Sequence, residues 1–202
     1  MDKARKINTT YYNKNAERWS AIKTNSFYHE QGFRKFIALL KPKDSVIDIG
    51  CAYGIHVPLF LGIGNFLKYS GFDISKKMIQ LAVSRYPQHN FFVADILEKK
   101  SLPHKKYSGF WAGAVLMHIP EEQWDQMLIN IKTIIKPKGI GYFSLPNMRP
   151  NEASSEDQRH FSIINSKKLR SFMSKHGWKI IKKGDFPVDP RAIWSWYIVQ
   201  LP

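Results

Sequence analysis

Along this chain, short β-branched hydrophobic runs alternate with longer stretches whose hydrophobic residues recur at helical spacing. The short runs are too brief and too branched to favour helices, so they predict strands. Five such strands are expected at about 45–49, 67–73, 90–95, 107–115 and 139–145. The stripes around them predict helices at about 27–40, 75–86 and 120–135. This order predicts an α/β chain with one doubly wound, mostly parallel sheet covered by helices on both faces.

The beginning of the chain reads as a further helix. Over residues 8–22, Tyr12 and Trp19 fall on one face, and Thr9 or Thr10 is expected to be the N-cap.

The end of the chain departs from the alternation. Residues 146–160 are polar and contain prolines, which predicts a loop long enough to have a function of its own. A helix at about 166–176 and a hairpin of two strands, at about 178–185 and 192–200, are expected after it. The predicted sheet therefore has seven strands and an antiparallel last strand.

Composition agrees with a single folded domain over residues 1–202. The chain is 44% hydrophobic and 23% charged, as in ordinary globular proteins. Its single cysteine, Cys51, excludes an internal disulfide, and no Cys/His cluster has the spacing of a metal site. Neither a signal peptide nor an apolar run of membrane-spanning length is visible. We therefore expect a cytoplasmic protein with no metal and no membrane partner.

Candidate chemistry begins where the first strand ends. The strand stops at Gly50, and Gly54 follows before the next apolar helix. A buried strand, a glycine turn and a helix start can cradle a nucleotide-like cofactor, because glycine lets the backbone approach the ligand closely. Glycines also end strands for purely structural reasons, so this signal alone leaves both readings open.

The ends of the next strands add polar side chains at the same edge of the sheet. Asp73, Asp95 and His118 follow the second, third and fourth strands, and ligands of parallel sheets bind at this edge. Asp73 lies about 20 residues after Gly50, where an acid binds a ribose diol in related folds, although Asp-x-Ser is also a helix-capping sequence. Asp95 is either a partner for an adenine amino group or an ordinary loop aspartate.

Three apolar side chains flank the two acids and could sandwich a flat base. They are Ile74, Met78 and Ile96, although such residues on helix faces are more often plain core.

Five motifs in order resemble those of the class I S-adenosylmethionine (SAM)-dependent methyltransferases. They are Val46-Ile-Asp-Ile-Gly-Cys-Ala-Tyr-Gly54, Gly71-Phe-Asp-Ile-Ser75, Ala94-Asp95, Leu116-Met-His118 and Ile135-Lys-Pro-Lys-Gly139. The resemblance covers about 44–145 and implies a Rossmann-like fold that uses SAM and releases S-adenosylhomocysteine.

The resemblance also implies roles for individual residues. The turn that holds the methionine part of SAM falls on Asp48, Gly50, Cys51, Ala52 and Gly54. Asp73 would bind the ribose and Asp95 the adenine, and Tyr12 and Trp19 of a lid over residues 1–30 would close on the cofactor. Ala52 departs from the family's usual glycine, as Lys138 does later in the chain.

Methyl transfer requires alignment of the acceptor and sometimes removal of a proton. His118 is the candidate base, since an imidazole has a reference pKa of about 6.5. The alternative interpretation is that His118 is a structural residue that holds the loop before the helix predicted at 120–135. Four residues of the 146–202 region or its edge are candidates for the acceptor pocket: Arg149, Arg159, His160 and Trp194.

The formal charge of +15 permits an anionic partner. Seven lysines precede strands and are expected at the edge opposite the crevice, which disfavours a nucleic-acid substrate: Lys41, Lys43, Lys68, Lys105, Lys106, Lys136 and Lys138. The Asn/Asp-Pro-Pro-Tyr/Phe motif of amino-methylating nucleic-acid enzymes is also absent.

The sequence thus favours methylation of an oxygen or nitrogen of a small molecule, which can be anionic. An RNA methyltransferase that uses the basic edge and a catalytically silent SAM-binding module are the alternatives.

Overall fold

The structure is a computed structural model, and it describes residues 1–22, 29–146, 159–189 and 192–202. Seven strands form one sheet in the order β3-β2-β1-β4-β5-β7-β6. They are β1 (Ser45–Ile49), β2 (Lys68–Asp73), β3 (Asn90–Val93), β4 (Tyr107–Ala112), β5 (Ile135–Pro146), β6 (Lys179–Asp189) and β7 (Ala192–Gln200). The first five strands are parallel, whereas β7 runs antiparallel between β5 and β6. The predicted doubly wound sheet with an antiparallel last strand is confirmed.

Seven helices lie within the described residues. They are α1 (Lys3–Lys14), α2 (Ala16–Ala21), α3 (Glu30–Ile37), α4 (Val57–Gly62), α5 (Lys76–Arg85), α6 (Trp124–Ile134) and α7 (Ser166–Lys175). Short 3₁₀ turns at Leu116–His118 and Glu121–Gln123 lead from β4 into α6.

Aromatic side chains on successive positions of one strand pack on opposite faces of the sheet. Trp111 of β4 contacts Phe33 of α3 and Phe60 of α4 on one face. The preceding residue, Phe110, contacts Trp178 on the other face. Because successive strand residues point to opposite sides, one strand contributes to both halves of the core.

The N-terminal helix begins earlier than predicted. It starts at Lys3, because the Asp2 side chain accepts a hydrogen bond from the backbone N–H of Arg5 and acts as the N-cap in place of Thr9 or Thr10. The helix is interrupted at Asn15, whose side chain bonds back to the carbonyl of Tyr11, so the predicted helix over 8–22 is in fact two helices.

Other boundaries differ by a few residues. The fifth strand begins at Ile135 rather than 139, because Ile135 already pairs with Tyr107 before an irregularity in the ladder. The third and fourth strands end at Val93 and Ala112, earlier than expected. Of the helix predicted at 27–40, residues 27 and 28 lie outside the described residues, and the rest is regular only over Glu30–Ile37.

Candidate active site

The turn after β1 is folded tightly against its neighbours. Gly50 has φ +69°, and a Cβ atom there would lie 2.3 Å from Cγ2 of Val115. The backbone N–H groups of Gly50 and Cys51 both donate to the carbonyl of Phe72, at 2.8 and 3.0 Å. Gly54 also has a positive φ, of +80°. A side chain at position 50 would therefore collide with the segment after β4, and only glycine fits there.

Ala52 occupies the same turn in an unfavourable backbone conformation. Its φ is +49°, in the left-handed region that glycine adopts at no steric cost. Its N–H donates to Oδ2 of Asp73 at 3.0 Å. The departure from glycine noted in the sequence therefore lies where the backbone itself favours glycine.

Asp73 joins the glycine turn to the start of α5. Its Oδ1 accepts from the N–H of Ser75 at 2.8 Å, and its Oδ2 accepts from Ala52. Burial raises the pKa of Asp73 to about 6, although these backbone hydrogen bonds oppose the rise. The carboxylate is held rigidly by these backbone donors, and since a carboxylate has about four acceptor positions, it can still accept from a further donor.

A cavity at the carboxyl ends of β1 to β4 holds about 580 Å³ of empty space, including its open mouth. It brings together seven residues that the sequence predicted for the site: Tyr12, Gly50, Asp73, Ile74, Asp95, Ile96 and His118. The rest of its lining is Arg5, Asn8, Thr9, Ile49, Phe72, Ala94, Val115 and Ile119.

Six other predicted cofactor residues are not part of the lining of this cavity. They are Trp19, Asp48, Cys51, Ala52, Gly54 and Met78. Asp48 is fully buried, where its Oδ2 accepts from the hydroxyl of Tyr69 at 2.8 Å and lies 3.2 Å from Nδ1 of His56. Burial raises the pKa of the Cys51 thiol, which packs against Gly71. Asp48 and Cys51 therefore support the turn from inside the core.

His118 uses both ring nitrogens. Its Nδ1 lies 2.9 Å from the carbonyl of His160, and since a carbonyl only accepts, Nδ1 carries the proton. Its Nε2 therefore accepts from the hydroxyl of Tyr12, at 2.8 Å. The Tyr12 oxygen in turn accepts from Nη1 of Arg159, at 3.0 Å. Burial raises the pKa of Tyr12 to about 12, so its hydroxyl stays protonated at neutral pH.

Arg159, a predicted acceptor residue, is only 7% exposed. Its guanidinium carbon lies 4.7 Å from the ring of Tyr11, 5.3 Å from that of Trp19 and 5.0 Å from that of Phe161. Cation–π contacts of this kind hold both N-terminal helices against the 159–161 segment. Three of these aromatic partners, Tyr11, Tyr12 and Trp19, belong to the N-terminal helices, so Arg159 links those helices to the 159–161 segment.

Neither His160 nor Trp194 is part of the cavity lining. The backbone N–H of His160 donates to Oδ1 of Asn8, and its ring bonds the hydroxyl of Ser162. Trp194 stacks on Phe186 in the β6–β7 hairpin and is not part of the cavity lining. Arg149 lies outside the described residues.

Arg5 and Asn8 are site residues that the sequence reasoning missed. Nη1 of Arg5 lies 2.8 Å from Oδ2 of Asp95, and its Nε lies 2.6 Å from Asp2. Asn8 donates to the carbonyls of His118 and His160. A helix beginning at Lys3 places Arg5, Asn8 and Tyr12 on one face at i, i+3 and i+7, but the helix predicted from residue 8 concealed that spacing.

Within the described ranges there is no group of three or more His, Cys, Asp or Glu side chains placed to hold a metal ion. Among these residues there is also no helix whose length and apolar character would let it cross a membrane.

Comparisons with known proteins agree with this geometry. Residues 46–139 match a family described as a methyltransferase domain. The fold is similar to that of magnesium protoporphyrin IX methyltransferase from Synechocystis PCC 6803 with bound SAM, at 18% identity and TM-score 0.74, covering 100% of this chain and 99% of that one.

Two further structures are similar in fold. Phosphoethanolamine N-methyltransferase 2 of Haemonchus contortus, with bound S-adenosylhomocysteine, is 14% identical with TM-score 0.75, covering 100% of this chain and 61% of that one. Geranyl diphosphate C-methyltransferase of Streptomyces coelicolor A3(2) is 12% identical with TM-score 0.68, covering 95% and 84%. Residues 46–139 therefore match a methyltransferase-domain family, and the whole chain shares its fold with SAM-dependent methyltransferases of known structure.

Proposed function

We propose that this protein transfers the methyl group of SAM to an oxygen or nitrogen atom of a small molecule, which can be anionic. The observation that carries the proposal is the cavity that joins the glycine turn to Asp73 and Asp95 beneath α1. Its location at the carboxyl ends of parallel strands, where the strand order reverses, is where α/β sheets bind ligands.

The residues around this cavity fit SAM. Gly50 leaves no room for a side chain beside the turn, and the two oxygens of Asp73 can accept from a ribose diol. Ile74 and Ile96 line the same cavity and provide apolar surfaces for a flat base. When bound, SAM supplies an electrophilic methyl group on a sulfonium, and S-adenosylhomocysteine is the product.

Asp95 is proposed to bind the adenine end while it is paired with Arg5. One oxygen already accepts from Arg5 and the other from the N–H of Leu97 at 2.9 Å. A carboxylate has about four acceptor positions, so lone pairs remain for an amino group.

Tyr12 and His118 are proposed to receive the acceptor's proton. The acceptor O–H or N–H transfers its proton to the Tyr12 oxygen while the original Tyr12 hydroxyl proton passes to Nε2 of His118, so Tyr12 ends protonated again. The acceptor atom then carries the electron pair for attack, and His118 becomes an imidazolium still bonded to the His160 carbonyl. His118 is thus the base, and Tyr12 connects it to the acceptor.

A small acceptor is favoured by the fold neighbours, whose names specify a porphyrin, a phosphoethanolamine and geranyl diphosphate. We propose residues 44–145 as the SAM-binding core and residues 1–30 and 146–161 as the lid. The acceptor would meet the 146–202 region, with Arg149, Arg159, His160 and Trp194 as its candidate contacts. A cytoplasmic location completes the proposal.

Calorimetry with SAM and S-adenosylhomocysteine tests the cofactor, with Asp73→Asn as the site variant and Asp44→Asn, at the opposite edge, as its control. Absence of binding by the unaltered protein would overturn the methyltransferase assignment.

Methyl transfer from labelled SAM into a fractionated cell extract tests the acceptor class. Label in the small-metabolite fraction is the expected result, whereas label in RNA would favour the RNA enzyme. SAM binding with no label in any fraction would favour a silent SAM-binding module.

A further inference from the structure

The edge of the sheet opposite the cavity carries a dense group of exposed lysines. Backbone contacts bring their loops together: Lys43 donates to the carbonyl of Phe66, and Lys68 to that of Asp44, both at 2.8 Å. The group, called here the basic edge, consists of Lys41, Lys43, Lys68, Lys105, Lys106, Lys136 and Lys138. These lysines precede or begin four adjacent strands in the order β2-β1-β4-β5, so the group spans about 15 Å at roughly 4.8 Å per strand.

The charge of the basic edge is almost uncompensated. Asp44 is the carboxylate that lies among these lysines, and its oxygens already accept from the backbone of Lys41 and the hydroxyl of Ser108. Within the described part of the chain, none of the seven lysines forms an ion pair with an acidic side chain. By contrast, Lys168 and Lys175 of α7 pair with Glu121 and Asp125.

Two of these lysines have an unfavourable backbone conformation. Lys43 has φ +68° and Lys138 has φ +60°, in the left-handed region that glycine and asparagine adopt most easily. A lysine at such a turn has a conformational cost that a glycine would avoid. The positive charge is therefore present even where local backbone preference opposes it.

Exposed leucines lie beside the lysines. Leu39, in the turn after α3, is 38% exposed and lies two residues before Lys41. Leu61, in the last turn of α4, is 47% exposed. Both α3 and α4 lead from the cavity side of the sheet to strands that begin at the basic edge, so both leucines lie near it.

Contrary to the expectation from the sequence that the protein has no membrane partner, we propose that the basic edge docks on the surface of an anionic phospholipid membrane. Clusters of four to eight basic residues beside apolar side chains are suited to acidic headgroups and the outer acyl region. The group contains seven lysines and no arginine, although arginine is the residue of choice for nucleic-acid phosphates. Its aromatic residue, Tyr107, is only 2% exposed, so it offers no ring on which a base could stack.

Docking in this orientation points the cavity away from the membrane, because the cavity and the basic edge lie at opposite ends of the same strands. The bilayer would concentrate the protein at a surface while the acceptor enters from the aqueous side. The inference is independent of the proposed methyl transfer, because vesicle binding requires neither SAM nor an acceptor.

Co-sedimentation with phospholipid vesicles tests the proposal. The full chain is expected to sediment with vesicles of 30% phosphatidylglycerol in phosphatidylcholine, but not with pure phosphatidylcholine, and to dissociate as salt rises. The triple variant Lys41→Gln/Lys68→Gln/Lys106→Gln should lose about 100-fold in partitioning, at about five-fold for each lysine. Leu39→Ser/Leu61→Ser should reduce the binding that survives at high salt.

The matched control is Lys14→Gln/Lys76→Gln/Lys77→Gln, which removes the same charge from exposed lysines around the start of α5. It should lose less than ten-fold. Equal losses in the two triple variants would overturn the proposal, as would equal binding to neutral and anionic vesicles. Retention on duplex RNA without vesicle binding, abolished only by the basic-edge variant, would overturn it in favour of a nucleic-acid surface.

Discussion

The hydroxyl of Tyr12 lies 2.8 Å from Nε2 of His118, although 106 residues separate the two in sequence. This hydrogen bond joins α1 to the turn after β4, directly over the cavity. Since His160 accepts from Nδ1, the histidine presents its unprotonated nitrogen to the tyrosine. The same hydrogen bond therefore holds the N-terminal helix at the cavity and carries the proposed proton transfer.

Tyr12→Phe is expected to lower kcat by about 100-fold, because the substitution removes the link between acceptor and base but leaves the aromatic ring. SAM affinity should change by less than about five-fold, since the hydroxyl is not assigned to the cofactor. Steady-state kinetics with the identified acceptor and calorimetry with SAM measure the two quantities. Tyr11→Phe makes the same chemical change at the adjacent residue and should keep kcat. Unchanged kcat in Tyr12→Phe with much weaker SAM binding would leave Tyr12 as a lid residue only.

Arg159→Met is expected to weaken SAM binding by about ten-fold, because the guanidinium holds Tyr11, Trp19 and Phe161 together around the closed helices. Arg159→Lys keeps the charge but loses the planar donor group, so it should restore affinity only in part. If Arg159 instead contacts the acceptor, as expected from the sequence, its variants should have a higher KM for the acceptor and an unchanged affinity for SAM. Measuring both constants for both variants separates the two roles.

Much of the sheet and of the site edge could be predicted from the sequence. The strand ends at Gly50, Asp73 and Asp95 were readable because parallel strands place all their carboxyl ends at one edge. The same rule placed the lysines at the opposite edge.

Contacts that depend on the orientation of a helix could not be predicted. Arg5 meets Asp95 across 90 residues, and Asn8 meets the backbone of His160 across 152. To predict such contacts one must know how α1 is oriented across the edge of the sheet, and the local periodicity of the sequence does not determine that orientation. The burial of Arg159 among aromatic rings has the same origin, because most of those rings come from α1 and α2.

SAM affinity should depend on pH through Asp73. Its pKa is raised to about 6 by burial, so the carboxyl group takes up a proton as pH falls through this value. Binding that uses both oxygens as acceptors must first remove that proton. The Kd for SAM is therefore expected to be constant above about pH 7 and to rise by up to ten-fold per pH unit below about pH 6.

Asp73→Asn should bind SAM about 10- to 100-fold more weakly at pH 7.5 and should lack this rise between pH 7 and 5. Asp44→Asn should reproduce the unaltered protein, because Asp44 lies at the opposite edge. Calorimetry at several pH values provides the comparison, and an identical pH dependence in Asp73→Asn would exclude Asp73 as the group responsible.

Ala52→Gly is expected to stabilise the protein by about 1 kcal/mol, because φ +49° is strained for alanine and not for glycine. Urea unfolding measures the change. Lys138→Gly, at φ +60°, should act in the same direction. Ala82→Gly, within α5, should instead destabilise by about 1 kcal/mol. Destabilisation by Ala52→Gly comparable to that of Ala82→Gly would mean that the turn tolerates alanine without strain.

Acid should destabilise the fold through His29. Its Nδ1 lies 3.0 Å from the hydroxyl of Tyr142, and its ring is surrounded by those of His56, Trp111 and Phe186. Burial, with a smaller contribution from His56, lowers the pKa of His29 to about 3. The unfolded chain takes up this proton near pH 6.5, whereas the folded protein does not. The contribution of neutral His29 to stability is therefore complete above pH 6.5 and is lost as pH falls towards 3.

The expected slope is at most about 1.4 kcal/mol of unfolding free energy per pH unit between pH 6 and 4. His29→Gln keeps a polar partner for Tyr142 but cannot titrate, so its stability should fall less steeply over this range. Urea unfolding at pH 7, 5.5 and 4.5 measures the difference in unfolding free energy between the two proteins. The contributions of the other titrating groups cancel in this difference. His104→Gln alters an exposed histidine and should leave the slope unchanged. Parallel curves for His29→Gln and the unaltered protein would show that His29 can be protonated in the folded state at little cost.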